Sequence, residues 1–209
     1  MPTLHILDHP LLQHKISIMR DKNTGAKDFR ELVNEVAMLM TYEATRDLPL
    51  REVTVETPIA VAKTKIIAGR KVAFVPIMRA GLGMLDGANA LVPAAKVGHI
   101  GICRTKDNNG SECYYCKLPF DINERDVVVL DLMLATGMSA IGALEKIYES
   151  GAKTVKFVCV AASPEGVKAV QDAYPDVEIY TGALDAGLNE EQYITPGLGD
   201  GGDRIYGTK

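Results

Sequence analysis

The stretch Asp126-Val-Val-Val-Leu-Asp131-Leu-Met-Leu-Ala135-Thr136-Gly137-Met138-Ser139 decides the fold class. Positions 127–130 are apolar without a polar alternation, as in a strand buried on both faces, and such strands belong to parallel sheets. The strand delivers an acidic residue, Asp131, at its tip. A short loop bearing Thr, Gly and Ser then opens a helix expected over 138–149. Outward from this unit the pattern repeats. Strand 72–77 precedes helix 82–91 and strand 97–103; helix 138–149 precedes strand 154–161, helix 164–173 and strand 177–181. This alternation predicts an α/β fold, a mainly parallel sheet flanked by helices on both faces.

Upstream, Phe29, Leu32, Val33, Val36, Ala37, Leu39 and Met40 recur at helical spacing within 27–45, and two β-type runs follow at 53–56 and 59–67. The 209 residues form one domain, with 47% apolar and 24% charged side chains, the balance of an ordinary folded core. A net charge of -4 argues against a general nucleic-acid or anionic-membrane binder. No apolar stretch approaches a spanning helix and the amino terminus lacks a leader pattern, so a soluble, cytosolic protein is expected. Four cysteines, at 103, 113, 116 and 159, are too sparse for a disulfide scaffold, and reduced thiols are expected. The polar insert between Arg104 and Phe120, with Asp107-Asn-Asn-Gly110 at its tip, reads as a hairpin-like loop or arm. The last 28 residues hold seven glycines and no helical period, so no helix is expected there.

In open α/β sheets ligands bind at the carboxyl ends of strands, where three turns stand out. After Asp131, a helix start with free N–H groups and the hydroxyls of Thr136 and Ser139 would cradle a monophosphate; ordinary N-capping by either hydroxyl is the alternative. A triphosphate P-loop is excluded because no lysine follows Gly137. In Pro76-Ile-Met-Arg79-Ala80-Gly81-Leu-Gly83 the glycines permit close approach of a ligand, or simply packing, and Arg79 presents a planar charged fork suited to diphosphate. A Rossmann fingerprint fails there because position 86 is Asp.

The third turn is Tyr193-Ile-Thr-Pro196-Gly197-Leu-Gly199-Asp200-Gly201-Gly202-Asp203-Arg204. Its Gly-x-Gly-x-x-Gly spacing is formal only, since no helix is expected to open so near the end of the chain. Four glycines beside Asp200 and Asp203 favour a binding loop over a plain turn cluster. Cys113-Tyr-Tyr-Cys116 is a poor redox or zinc candidate: residues three apart on a strand face opposite sides, and the four histidines form no ligand set.

Together the Asp131–Ser139 loop, the Arg79-Ala-Gly-Leu-Gly turn and the terminal Ile-Thr-Pro-Gly-Leu-Gly-Asp-Gly-Gly-Asp-Arg-Ile-Tyr-Gly-Thr-Lys closely resemble the uracil phosphoribosyltransferases. His9-Pro10-Leu11, Thr41-Tyr-Glu-Ala-Thr45 and Ala162-Ser-Pro-Glu-Gly166 extend the likeness over nearly the whole chain. The resemblance implies a type I phosphoribosyltransferase fold, with a core at about 70–182 and a hood from the N-terminal segment and 183–209. It implies transfer from 5-phosphoribosyl 1-diphosphate (PRPP) to uracil, giving UMP and diphosphate, with Mg²⁺ bound mainly through substrate rather than by assigned protein ligands.

Site roles follow from the same likeness. PRPP would be held by Arg79, Arg104, Asp131, Leu132, Met133, Leu134, Ala135, Thr136, Gly137, Met138, Ser139 and Asp200, with N–H groups and hydroxyls of 135–139 on the 5-phosphate. Asp131 would address the ribose hydroxyls, the two arginines the diphosphate. Uracil's acceptor-donor-acceptor edge would be read by Ile194, Gly199 and Gly201, with Asp200 close by. Asp200, Arg79 and Asp131 are thus the expected catalytic residues. Relatives usually have Pro and a small or polar residue where this chain has Leu132 and Met138, which bears on PRPP affinity. The likeness also brings a homodimer or higher oligomer, and GTP as an effector known for some relatives. An RNA-binding pyrimidine regulator on the same fold is the rival reading; it would need a basic face, and the net acidity opposes it.

Overall fold

The computed structural model describes residues 4–104 and 110–208, with Arg104 described by its backbone alone. Strand β1 (Leu4–Ile6) leads to helices α1 (Pro10–Arg20) and α2 (Ala26–Ala44), and β2 (Leu50–Glu56) and β3 (Val61–Ile67) follow. Next come β4 (Lys71–Met78), α3 (Leu82–Leu91), β5 (Lys96–Val97), β6 (His99–Arg104) and β7 (Ser111–Lys117). The second half runs β8 (Arg125–Leu134), α4 (Met138–Glu149), β9 (Thr154–Ala162), α5 (Pro164–Ala173) and β10 (Glu178–Leu184), then β11 (Gly187–Leu188), β12 (Ile194–Thr195) and α6 (Gly201–Tyr206).

The main sheet has the order β1-β10-β9-β8-β4-β6-β7, with β5 also on β4. Its pairs are parallel except β6 with β7. Two buried faces explain the unbroken apolar runs. Along β8, Val128, Leu130 and Leu132 join the core beneath α1, α2 and α3, while Val127 and Val129 join the core beneath α4 and α5. β4 divides likewise, Val72 and Phe74 against Val75 and Ile77. The N-terminal segment supplies edge strand β1 and much of the first core through Leu12, Ile16, Phe29 and Val36, so it belongs to the core as well as to any hood.

Helices α3, α4 and α5 occupy their expected spans. Ser163 caps α5 by accepting from Gly166 N at 2.9 Å, with Pro164 in the first turn. Other expectations are corrected. The buried strand runs to Leu134, so Leu132, Met133 and Leu134 belong to the strand rather than to the loop. The strand expected over 97–103 breaks at Gly98 into β5 and β6. Residues 201–206 do form a helix: Asp200 caps it by accepting from Asp203 N at 2.9 Å, Ile205 anchors it in the first core, and Gly207 ends it at φ +65°. Tertiary packing and two caps override the poor helix propensity of two glycines.

The expected insert is the β6–β7 hairpin, and its tip, including Asp107, lies outside the described residues. A β-bulge shifts its register, pairing Ile100 with Cys116 but Ile102 with Cys113. Because Ile100 and Ile102 share a face, Cys113 and Cys116 share it too, against the regular-strand expectation. All four cysteines are free thiols. No helix among the described residues is long and apolar enough to cross a membrane.

Candidate active site

Strands β4 and β8 lie side by side, and their chains leave toward opposite sides of the sheet. The crevice at their carboxyl ends is the topological switch point where such sheets bind ligands. A cavity of about 410 Å³ opens there. It is lined by Arg79 and Ala80 from the β4 exit, by Asp131 and Met133 from the end of β8, by Ala135 from the turn and Ser139 from the first turn of α4, and by Glu191–Ile194 and Asp200–Gly202.

Two glycines are dictated by the protein's own packing. A Cβ on Gly81 would lie 2.2 Å from Leu130 O and 2.8 Å from Ile77 N, and one on Gly83 would lie 2.8 Å from Ile205 Cδ1. The packing reading of this turn therefore has a direct basis at Gly81, which is seated against main-chain atoms of the sheet, while Gly83 lies against the end of the Ile205 side chain of α6. Gly201 has a similar reason: its Cβ would lie 2.2 Å from Leu132 Cδ2. Leu132 and Leu134 are buried beneath the site and offer it only main-chain atoms.

Helix α4 starts without a side-chain cap, at Gly137 with φ +83°. Thr136 Oγ1 stands 3.5 Å from Met138 N, at the limit of a hydrogen bond. Of the expected N-capping, this one long contact from the first helical N–H to Thr136 remains, because the cap position itself is Gly137. The positive end of the helix faces the cavity, where Ser139 lines the wall.

Asp131 is the most perturbed carboxylate of the site. Burial pushes its carboxyl up to about 7, and hydrogen bonds from the Leu132 and Met133 N–H groups pull the other way. Leu132 N donates to Asp131 Oδ1 at 2.8 Å. Arg79 is tied to the terminal helix: its Nη2 lies 3.3 Å from Asp203 Oδ1, and its carbonyl accepts from the Tyr206 hydroxyl at 3.0 Å. Arg104 falls where only the backbone is described. Gly199 lines a neighbouring cleft with Arg20, Lys22 and Arg204, whereas Ile194, Asp200 and Gly201 line the cavity.

The sequence reading leaves out Glu191 and Gln192 and gives Tyr193, at the head of the third turn, no role. They are presented by a turn that Asn189 organises, its Oδ1 accepting from Glu191 N at 3.1 Å and Tyr193 N at 2.8 Å. The Asn-Glu-Glu-Gln-Tyr string carries that Asx-turn signal. Among the described residues no group of three or more His, Cys, Asp or Glu side chains is placed to hold a metal ion. The separate carboxylates of Asp131 and Asp200 are a poor cage. They fit a Mg²⁺ that keeps substrate and water oxygens in its shell.

The family model of uracil phosphoribosyltransferase matches residues 6–208. The chain belongs to the uracil phosphoribosyltransferase family. Uracil phosphoribosyltransferases of Thermoanaerobacter pseudethanolicus and Bacillus cytotoxicus are 60% and 58% identical to it, over 98% and 100% of this chain and 97% and 100% of theirs. A solved structure of an Aquifex aeolicus protein superposes with a TM-score of 0.92 at 41% identity, covering 98% of each chain. An adenine phosphoribosyl transferase of Trypanosoma brucei, 12% identical, shares the fold at a TM-score of 0.62, over 92% of this chain and 87% of that one. The enzyme is accordingly a pentosyltransferase of pyrimidine salvage that converts uracil and PRPP to UMP and diphosphate. The family match lends no support to the RNA-binding alternative.

Proposed function

We propose a division of labour for that reaction along the cavity, carried by one observation: the Arg79 turn, the Asp131–Ser139 segment and the Ile194–Gly202 segment border a single space. The uncapped start of α4 and the Ser139 hydroxyl take the 5-phosphate through N–H and O–H donation. Asp131 accepts from the ribose hydroxyls and so turns the anomeric carbon toward the base. Arg79 moves its fork between Asp203 and the diphosphate, holding the leaving group while the sugar develops oxocarbenium character. When bound, Mg²⁺ supplies countercharge to the diphosphate.

Uracil is read by main-chain groups of the terminal loop, at Ile194, Gly199 and Gly201. Cytosine reverses two of those three contacts, and a site built on buried polar pairing rejects such a mismatch by orders of magnitude. Asp200 stands at the junction of base and diphosphate and assists loss of the uracil N1 proton. The hairpin β2–β3 forms its own two-stranded sheet and leaves Leu50, Ile59, Val61 and Ile67 exposed, which supports a homodimer contact there. GTP is the effector the family likeness brings; its action is read as a change in kcat or KM on adding it to the assay.

The deciding experiment incubates the protein with Mg²⁺, PRPP and each free base. UMP from uracil, and little or no product from cytosine, is the expected result; no UMP overturns the reading.

A further inference from the structure

Gly197 carries the terminal loop round its tightest corner. Its φ is +61°, and a Cβ there would lie 2.1 Å from Ile194 O. Both of its main-chain groups are occupied by side chains outside the active-site cavity. The N–H donates to Asp185 Oδ2 at 3.0 Å, and the carbonyl accepts from Arg20 Nη1 at 2.8 Å. The two side chains are themselves forked together, Nη1 to Oδ2 at 2.9 Å and Nη2 to Oδ1 at 2.6 Å. The Asp185 side chain is 6% exposed, so its charge depends on these donors rather than on water.

The clamp is anchored at both ends. Asp185 N donates to Ala162 O at 2.9 Å, which fixes it to the end of β9, and Arg20 closes α1. One residue along, Leu198 O accepts from Arg204 Nη1 at 3.0 Å; the same guanidinium donates to Met19 O and to Asp21 O and lies 4.3 Å over the Phe29 ring.

We infer that Arg20 and Asp185 are positioning residues for base recognition. They fix the two peptide groups of Gly197, and through them the spacing between Ile194, which borders the cavity, and Gly199, which borders the cleft beside it, the two main chains proposed above to read the base edge. The inference rests on the uracil-loop reading above. Main-chain readers have no rotamers, so their position is adjustable only through anchors of this kind. A planar guanidinium paired in-plane with a carboxylate gives the directional rigidity that a lysine does not.

Asp185→Asn preserves shape but cannot accept from all three donors. It should raise the KM for uracil about tenfold or more while kcat and the KM for PRPP stay within about threefold, since small misplacements of a positioning group carry costs of that order. The preference for uracil over cytosine should fall in parallel. Arg20→Ala should show the same split, and millimolar guanidinium ion should lower its uracil KM again, whereas Arg20→Lys should not restore it. Without substrates, amide hydrogen exchange at 194–199 should quicken in both variants and stay unchanged at 131–139. A normal uracil KM in Asp185→Asn, or an equal rise in both KM values with a lowered Tm, overturns the inference. If the wild type forms no UMP, the functional reading fails first; the exchange measurement then decides the clamp, and unchanged exchange at 194–199 overturns it.

Discussion

The two ends of the cavity are built in opposite ways. The phosphate end is an extension of the sheet: β8 runs to Leu134, its apolar residues sink into both cores, and one positive-φ glycine starts the next helix. The end proposed for the base is built from short pieces, the two-residue strand β12 and the first turn of α6, joined by an irregular loop. It is a chain of main-chain groups held by side chains from distant parts of the sequence, Arg20 to Asp185 across 165 residues and Arg79 to Asp203 across 124. A phosphate is nearly symmetric and is served by any helix start, whereas a base must be told from its near isosteres. On the proposed reading, specificity falls to the end whose geometry depends on long-range contacts.

Substitutions can press on that contrast. At the base end, Asp200→Asn should fold normally, because Asn caps a helix as Asp does, yet lose about a hundredfold or more in kcat by removing a charge from the reacting centre. Near-normal turnover would remove Asp200 from the chemistry. At the sheet end, Gly81→Ala should cost about 3 kcal/mol, since its Cβ meets backbone atoms of β4 and β8 that have little room to give. Chemical denaturation reads this directly, and a loss under about 0.5 kcal/mol would mean the turn is not seated as described.

A pH series separates the ends further. With the Asp131 carboxyl raised to about 7, the residue is protonated in acid and becomes a charged, stronger acceptor for ribose hydroxyls as pH rises through 7. The KM for PRPP should fall by up to about tenfold per unit below pH 7 and level off above it. Asp131→Asn should flatten that part of the profile, while the uracil KM of the wild type shows no matching step. The smallest effect concerns thiols. Cys159 is buried and pushed up to about 12, so it should resist alkylation in the native enzyme, whereas Cys103 and Cys116 are exposed and should react. Modification of Cys159 at the rate of the others would place that strand closer to solvent than the structure does.

Elements with local causes were legible in the sequence. Helix α2 is readable from its apolar spacing, β8 from its apolar run, and α3 and α5 from the alternation with strands, because each depends on neighbours close in the sequence. Helix α1 carried a comparable signal in Leu12, Ile16 and Met19 behind a His9-Pro10 start, and it was passed over. Helix α6 was not legible, since Ile205 earns its place only by packing against elements far away in the chain. The same holds within the site. The Asp131 loop could be found by pattern, whereas the Asp203 partner of Arg79 and the anchors of Gly197 arise from the fold alone. The shared face of Cys113 and Cys116 depends on a bulge that no two-residue period reveals.

The contact of Gly201 with Leu132 sets a tolerance. No side chain separates the terminal loop from β8 at that point, and Leu132 directly follows Asp131 along the strand. A side chain added at Gly201 would therefore push the terminal loop away from β8, and on the proposed reading it would part the main chain that meets the base from the carboxylate that meets the sugar.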